Sequence, residues 1–188
     1  MKVKFEFDDE NMRSKAKDAH DKLYFYLIRA KFALLEIKNA IKNSEKERVN
    51  NEICRFEKWF GNLDYIDIVY DNITKILTRF EDEDVILLND ENEPDTFAYI
   101  KAGDTELKIY LCTEFWHTSN QRTKEERTKY DSGLGVILHE LTHLVCNTED
   151  HFYGIKDCTT NAICKPRLCV ENADSYEYYL EEFRLYHN

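Results

Sequence analysis

Residues 139–143 read His-Glu-Leu-Thr-His. On a helix, two histidines four positions apart project from one face about one turn apart, as two ligands of a single zinc ion must. Glu140 points beside such an ion instead of at it, so its carboxylate can take a proton from an attacking water. The flanks argue against a solvated surface helix. Val136, Ile137, Leu138, Leu141, Leu144 and Val145 make the segment apolar on most sides, and two histidines with a glutamate need a reason to be buried there. A metal supplies that reason.

A catalytic zinc keeps three protein ligands and one open position, so a third ligand must lie downstream. Asp150 stands beyond a turn at Asn147-Thr148, and its carboxylate can fold back toward the metal as the helix ends. Cys146 shares the helical face of His143, although a free cysteine more often behaves as a small buried hydrophobe. His151 and Glu177 complete the field of candidates.

The elements that must position these groups are legible in outline. Leu23, Leu27, Ala30, Leu34, Ile37 and Ile41 recur every three or four residues and predict a long amphipathic helix over about 12–42. A second helix over about 45–60 ends at Gly61, where a glycine stop is expected, and a third spans about 65–80. After the acidic run 81–84 the texture changes. Short strands are expected at 85–88, 96–100 and 107–111, with a charged connection at 120–129 before the helix that carries the chemistry. The pattern is that of an α+β fold, mostly helical with a small sheet. One domain over 1–188 is expected, with a helical part at about 11–80, a sheet at about 84–112 and a C-terminal part at about 130–188.

Around the motif, the sequence resembles the aspzincins, the deuterolysin and peptidyl-lysine metalloendopeptidase family. Their HExxH is followed by Gly-Thr-x-Asp-x-x-Tyr-Gly, and here Asn147-Thr148-Glu149-Asp150-His151-Phe152-Tyr153-Gly154 departs only at the first position. Asparagine tolerates a left-handed backbone better than most residues, so the turn can survive. The resemblance implies a zincin-like metallopeptidase domain with one catalytic Zn2+ held by His139, His143 and Asp150. It also implies Glu140 as the base and Tyr153 as a hydroxyl donor near the metal. Asn172-Ala173-Asp174-Ser175-Tyr176 matches a second family stretch, which implies that Asp174 and Glu177 receive a substrate lysine on the C-terminal side of the cut bond. Asp174 also suits a helix N-cap. Phe56–Gly61 and Ile109–Cys112 look like further landmarks, and the likeness extends over about 16–183. The strand at 107–111 is expected to pair with the extended substrate backbone, as an exposed sheet edge can.

Composition bounds the partners. Hydrophobic residues make up 43% of the chain, which is globular and not disordered in character. Thirty-seven acidic residues against 26 basic ones give a net charge of −11, which disfavours nucleic acid and anionic membranes and attracts basic, lysine-containing polypeptides. No apolar run is long enough for a membrane helix, a monomer is expected, and the first 15 residues lack the apolar stretch of a secretory signal. Secretion, which the resemblance implies, thus competes with a delivered effector or an excised domain. Six cysteines permit disulfides, four of them between Cys146 and Cys169, or buried free thiols. The rival from another class is a zinc-stabilised binding protein without turnover, whose site would close with four ligands, for instance Cys146 together with Asp150.

Overall fold

The apolar spacing of the N-terminal part yields one buried stripe. Ala16, Ala19, Leu23, Leu27, Ala30, Leu34 and Ile37 are all inaccessible on α1 (Glu10–Asn43) in the computed structural model, which describes residues 2–118 and 131–185. Asp9 caps its N-terminus by accepting from the Met12 N–H at 2.8 Å. A 3-10 turn (Lys46–Val49) leads into α2 (Asn50–Phe60). Gly61 ends α2 at φ 85°, as the glycine stop predicts, and a side chain there would also meet the Ala162 carbonyl. A second short 3-10 turn precedes α3 (Ile66–Asp82). The expected connection at 120–129 lies outside the described residues.

The sheet has four strands in the order β1-β2-β4-β3. β1 (Lys2–Glu6), β2 (Asp84–Asn89) and β4 (Leu107–Leu111) run parallel, and β3 (Ala98–Tyr99) pairs antiparallel to β4. β1 is not among the expected strands, although its alternation of Lys2 and Lys4 with Val3 and Phe5 is a period-two signal. The strand expected to meet substrate, β4, lies between β2 and β3 in the sheet order, and β3 pairs with it only at Tyr110 and Leu111, which leaves that side of Leu107–Ile109 without a strand partner among the described residues. The partial cover at Tyr110 and Leu111 was not legible in the sequence, because strand order depends on long-range pairing that local pattern does not encode.

Beyond β4 come α4 (Thr113–His117), α5 (Gly133–Cys146), α6 (Gly154–Cys164), α7 (Pro166–Cys169) and α8 (Ala173–Leu185). Two of these, α6 and α7, occupy the stretch expected to be loop-rich and braced by bridges. All six cysteines are free thiols. The stretch is held instead by packing, with Cys158, Ala162 and Cys169 buried.

α8 docks on α2 through aromatic rings: the Phe60 ring lies 5.1 Å from that of Tyr176 and 5.4 Å from that of Tyr179, edge to face. The buried Tyr176 hydroxyl donates to the Val170 carbonyl at 2.9 Å and accepts from Asn72 Nδ2 at 2.7 Å. Tyr176→Phe would leave both partners buried and unpaired. It is expected to cost about 1–3 kcal/mol, read as a melting temperature lower by about 2–4 °C per kcal/mol; an unchanged Tm would refute this account.

Candidate metal and peptidase site

The His-Glu-Leu-Thr-His segment lies within α5. Ser132 caps the helix by accepting from the Gly135 N–H at 3.1 Å, and Leu134, Ile137, Leu138 and Leu141 are inaccessible beneath it. At the other end Asn147 adopts the left-handed conformation, φ 54° and ψ 41°. Its N–H bonds to the His143 carbonyl at 3.2 Å and the Thr148 N–H to the Thr142 carbonyl at 3.4 Å, which closes the helix and reverses the chain. The tolerance expected of asparagine is what the turn uses.

The reversed segment is then tied to the start of α8. The Glu149 N–H bonds to the Glu171 carbonyl at 2.8 Å, and the Ala173 N–H to the Glu149 carbonyl at 3.1 Å. The Phe152 N–H bonds to Asn172 Oδ1 at 2.8 Å, and the Gly154 N–H to Asp174 Oδ2 at 2.7 Å. Asp150 therefore sits in a clamped loop, where backbone bonds on both sides fix it.

One carboxylate oxygen of Asp150 meets both imidazoles. Oδ1 lies 3.1 Å from His139 Nε2 and 3.3 Å from His143 Nε2. The opposite ring nitrogens are anchored: His139 Nδ1 lies 2.8 Å from Asp174 Oδ1 and 3.5 Å from Glu177 Oε2, and His143 Nδ1 lies 2.7 Å from the Thr148 carbonyl. Imidazoles whose Nδ1–H is held by a carboxylate or a carbonyl present a bare Nε2, the arrangement of metal-ligating histidines. The donor set fits a zinc ion, with two nitrogens and a carboxylate oxygen within 4.8 Å of one another. Asp174 and Glu177 form a second group with His139. It offers one imidazole, and Asp174 already serves Gly154, so the first group suits a metal better.

Charge tells the same story. Burial works against a charged His139, but the carboxylates of Asp150, Asp174 and Glu177 outweigh it and push its protonation far above the ordinary imidazole range. His139 in turn holds the Asp150 carboxyl below its usual range, through their hydrogen bond above all. So much negative charge around one imidazole is a demand for a cation. Glu140, buried beside this group, is pushed up to about 7 by burial; the charge of His139 opposes the rise and that of Asp150 adds to it.

Of the other candidate ligands, the Cys146 thiol turns toward the Asn72 carbonyl, 3.7 Å away on α3, and burial pushes it up to about 12. His151 Nε2 faces Glu149 at 3.8 Å and Glu171 at 4.0 Å. Glu177 approaches only the Nδ1 side of His139. His117 pairs with Glu114 at 3.5 Å and does not border the cleft.

A cleft of about 560 Å³ opens over the site, lined by His139, Glu140, Asp150 and Tyr153 on one side and by residues 95–98, next to β3, on another. Tyr153 is 65% exposed, and the Asp150 carboxylate near its hydroxyl helps burial to raise it above the ordinary phenol range. Six carboxylates line the cleft, those of Asp95, Asp131, Glu140, Asp150, Asp174 and Glu177, and among the described residues no lysine or arginine does. The acidic wall at residue 131 and the glycine at 135 are absent from the expected site. A side chain at Gly135 would come within 2.6 Å of Glu177 Oε1 and 2.9 Å of Glu181 Oε1, a crowding visible only once α5 and α8 are packed.

A helical histidine pair, a clamped carboxylate and a buried glutamate together form a centre of the kind a metallopeptidase would use. The chain belongs to the aspzincin family, whose sequence model, described as lysine-specific metallo-endopeptidase, matches residues 39–181. A peptidyl-Lys metalloendopeptidase of Armillaria mellea is 35% identical over 91 residues, 47% of this chain and 24% of that protein. An extracellular protease of Aeromonas hydrophila is 30% identical over 131 residues, 68% of this chain and 35% of that protein. A peptidyl-Lys metalloendopeptidase of Pleurotus ostreatus is 32% identical over 88 residues, 46% of this chain and 48% of that protein. The matched parts thus span from about a quarter to about half of these relatives. The structure of a zinc peptidase from Grifola frondosa superimposes with a TM-score of 0.74 at 22% identity, covering 94% of this chain and 98% of that one. The mostly helical fold with a small mixed sheet is therefore shared.

Asp174→Asn would remove the charge that orients His139. Loss of such an outer partner is expected to weaken zinc binding by about 10- to 100-fold, measured by competition with a chelating dye; undiminished affinity would show that His139 needs no brace.

Proposed function

We propose that the chain is a monomeric, single-domain zinc metalloendopeptidase that cuts polypeptides on the N-terminal side of lysine, with no nucleic-acid or membrane partner. The observation that carries this reading is the convergence of His139 Nε2 and His143 Nε2 on Asp150 Oδ1, at 3.1 and 3.3 Å, with Glu140 buried on the same cleft wall. His139, His143 and Asp150 would hold one Zn2+. Bound there, zinc would supply Lewis-acid polarisation of water and of the scissile carbonyl.

The chain's own residues do the rest. Glu140 accepts a proton from the attacking water and delivers it to the departing amine; burial sets it near neutrality, where a carboxylate can do both. The exposed Tyr153 hydroxyl donates to the developing oxyanion. The extended substrate backbone lies along residues 95–98, the cleft wall that continues into edge strand β3. Asp174 and Glu177 supply negative charge for a lysine side chain, and the Cys146 thiol, turned away, leaves the site short of the four ligands of a closed structural zinc.

The test is digestion of an unstructured, lysine-containing protein by the zinc-loaded enzyme, with fragments mapped by mass spectrometry. Fragments beginning with lysine support the reading. Zinc bound at one equivalent with no cleavage would favour a binding protein.

A further inference from the structure

Between Glu140 and His143 on α5 stands Thr142, a fully buried residue to which the chemistry above gives no task. It holds the loop that carries Asp150 at two points. The Thr142 carbonyl accepts from the Thr148 N–H at 3.4 Å, and its hydroxyl lies 2.7 Å from the hydroxyl of Thr148, a residue only 7% exposed. Closing the helix requires the first contact alone.

The contact between the two hydroxyls has a direction that its neighbours set. Thr142 Oγ1 donates its single proton to the His139 carbonyl at 2.8 Å, because a carbonyl can only accept. Thr148 must then donate to Thr142 Oγ1. With that proton spent, Thr148 Oγ1 offers His143 Nδ1 a lone pair at 3.3 Å, beside the Thr148 carbonyl at 2.7 Å. His143 Nδ1 therefore faces two acceptors and carries the ring proton, which leaves Nε2 bare on the side of Asp150 Oδ1, 3.3 Å away. Loss of the Thr142 hydroxyl would release the Thr148 proton. Among the described residues, His143 Nδ1 is then the remaining partner of Thr148 Oγ1. A neutral ring that accepts at Nδ1 keeps its proton on Nε2, and that nitrogen cannot ligate a metal.

We infer that Thr142 is a positioning residue for the metal site: by taking the Thr148 hydroxyl proton, it keeps His143 in the tautomer that presents Nε2. The inference deepens the zinc reading above and rests on it. Thr142 touches neither metal nor substrate, and it acts through Thr148 alone.

The experiment reads the imidazole tautomers of the metal-free protein by proton–nitrogen NMR, and zinc affinity by competition with a chelating dye. Wild type is compared with Thr142→Val, Thr142→Ser and the double variant Thr142→Val with Thr148→Val. In Thr142→Val, His143 should hold part of its proton on Nε2, and zinc binding should weaken by about tenfold to a hundredfold. His139, braced by Asp174, should keep its wild-type signals. Serine retains the hydroxyl and should restore both readings. The double variant has no hydroxyl proton to release and keeps the Thr148 carbonyl, so it should bind zinc more tightly than Thr142→Val; a role in packing alone predicts the reverse. If Thr142→Val does not fold, Thr142→Ala, a good helix former, takes its place with the same expectation. A wild-type tautomer and affinity in the single variant, or a double variant no better than the single one, would overturn the assignment. Absence of zinc binding by wild type would sink the zinc reading instead, and the tautomers of the metal-free proteins would still decide the role of Thr142.

Discussion

Glu140→Gln is expected to lower kcat by about a hundredfold to ten-thousandfold, with zinc content and KM little changed. The argument runs through shape and charge separately. Glutamine fills the same volume and keeps a carbonyl oxygen, so the packing of α5 around a residue only 6% exposed is preserved. What it lacks is the ability to accept a proton from water and to return it to the amine. Burial already works against the ionised form of Glu140 and pushes it up to about 7, so replacing it with a neutral group should not lower the melting temperature. A variant that is folded and zinc-loaded yet inert isolates the proton-transfer role. One that kept more than about a tenth of wild-type turnover would remove Glu140 from the mechanism, since general-base effects are at least a hundredfold.

How far the site could be read from the residues depends on which interactions are local. The spacing of the histidine pair and Glu140 follows from the helix, and the apolar flanks of α5 predicted the burial of Glu140, with the two histidines half-buried beside it. Asn147 was legible for the same reason: a helix end needs a left-handed residue, and asparagine is one of the few that accept it. The acceptor for His143 Nδ1 was not, because it is the backbone carbonyl of Thr148, which any residue would provide. Nor was the brace on His139, which exists only because Phe60, Tyr176 and Tyr179 seat α8 against α2 and bring Asp174 up to α5. The same limit governs the sheet. Strand segments 84–89 and 107–111 show in their composition, but that β4 is interior and β3 forms the edge beside the cleft is decided by pairing across long separations. The cysteine-rich stretch misled because cysteine count reports possible bridges, whereas α6 and α7 bury the thiols of Cys158 and Cys169 as they would any small side chain.

Asp150→Ala should abolish both zinc binding and cleavage, and its effect on stability should depend on the metal. In the metal-free protein the Asp150 carboxylate sits between His139 and His143, and it helps to compensate any positive charge on those rings. Asp150 is partly exposed, so removing it should cost little there, within the about 0–1 kcal/mol typical of exposed ion pairs. With zinc present the comparison changes. A ligand that binds only the folded state stabilises it by about 4 kcal/mol when its free concentration is a thousand times Kd, so wild type should melt several degrees higher in zinc than in chelator. Asp150→Ala should lose that increment, because a site with two imidazoles and one fewer negative charge holds a divalent ion far more weakly. Thermal melts of both proteins, with zinc and with chelator, decide the matter. If Asp150→Ala kept the zinc-induced rise, the metal would have to be sought in the second group, where Asp174 and Glu177 are the other carboxylates within reach of His139.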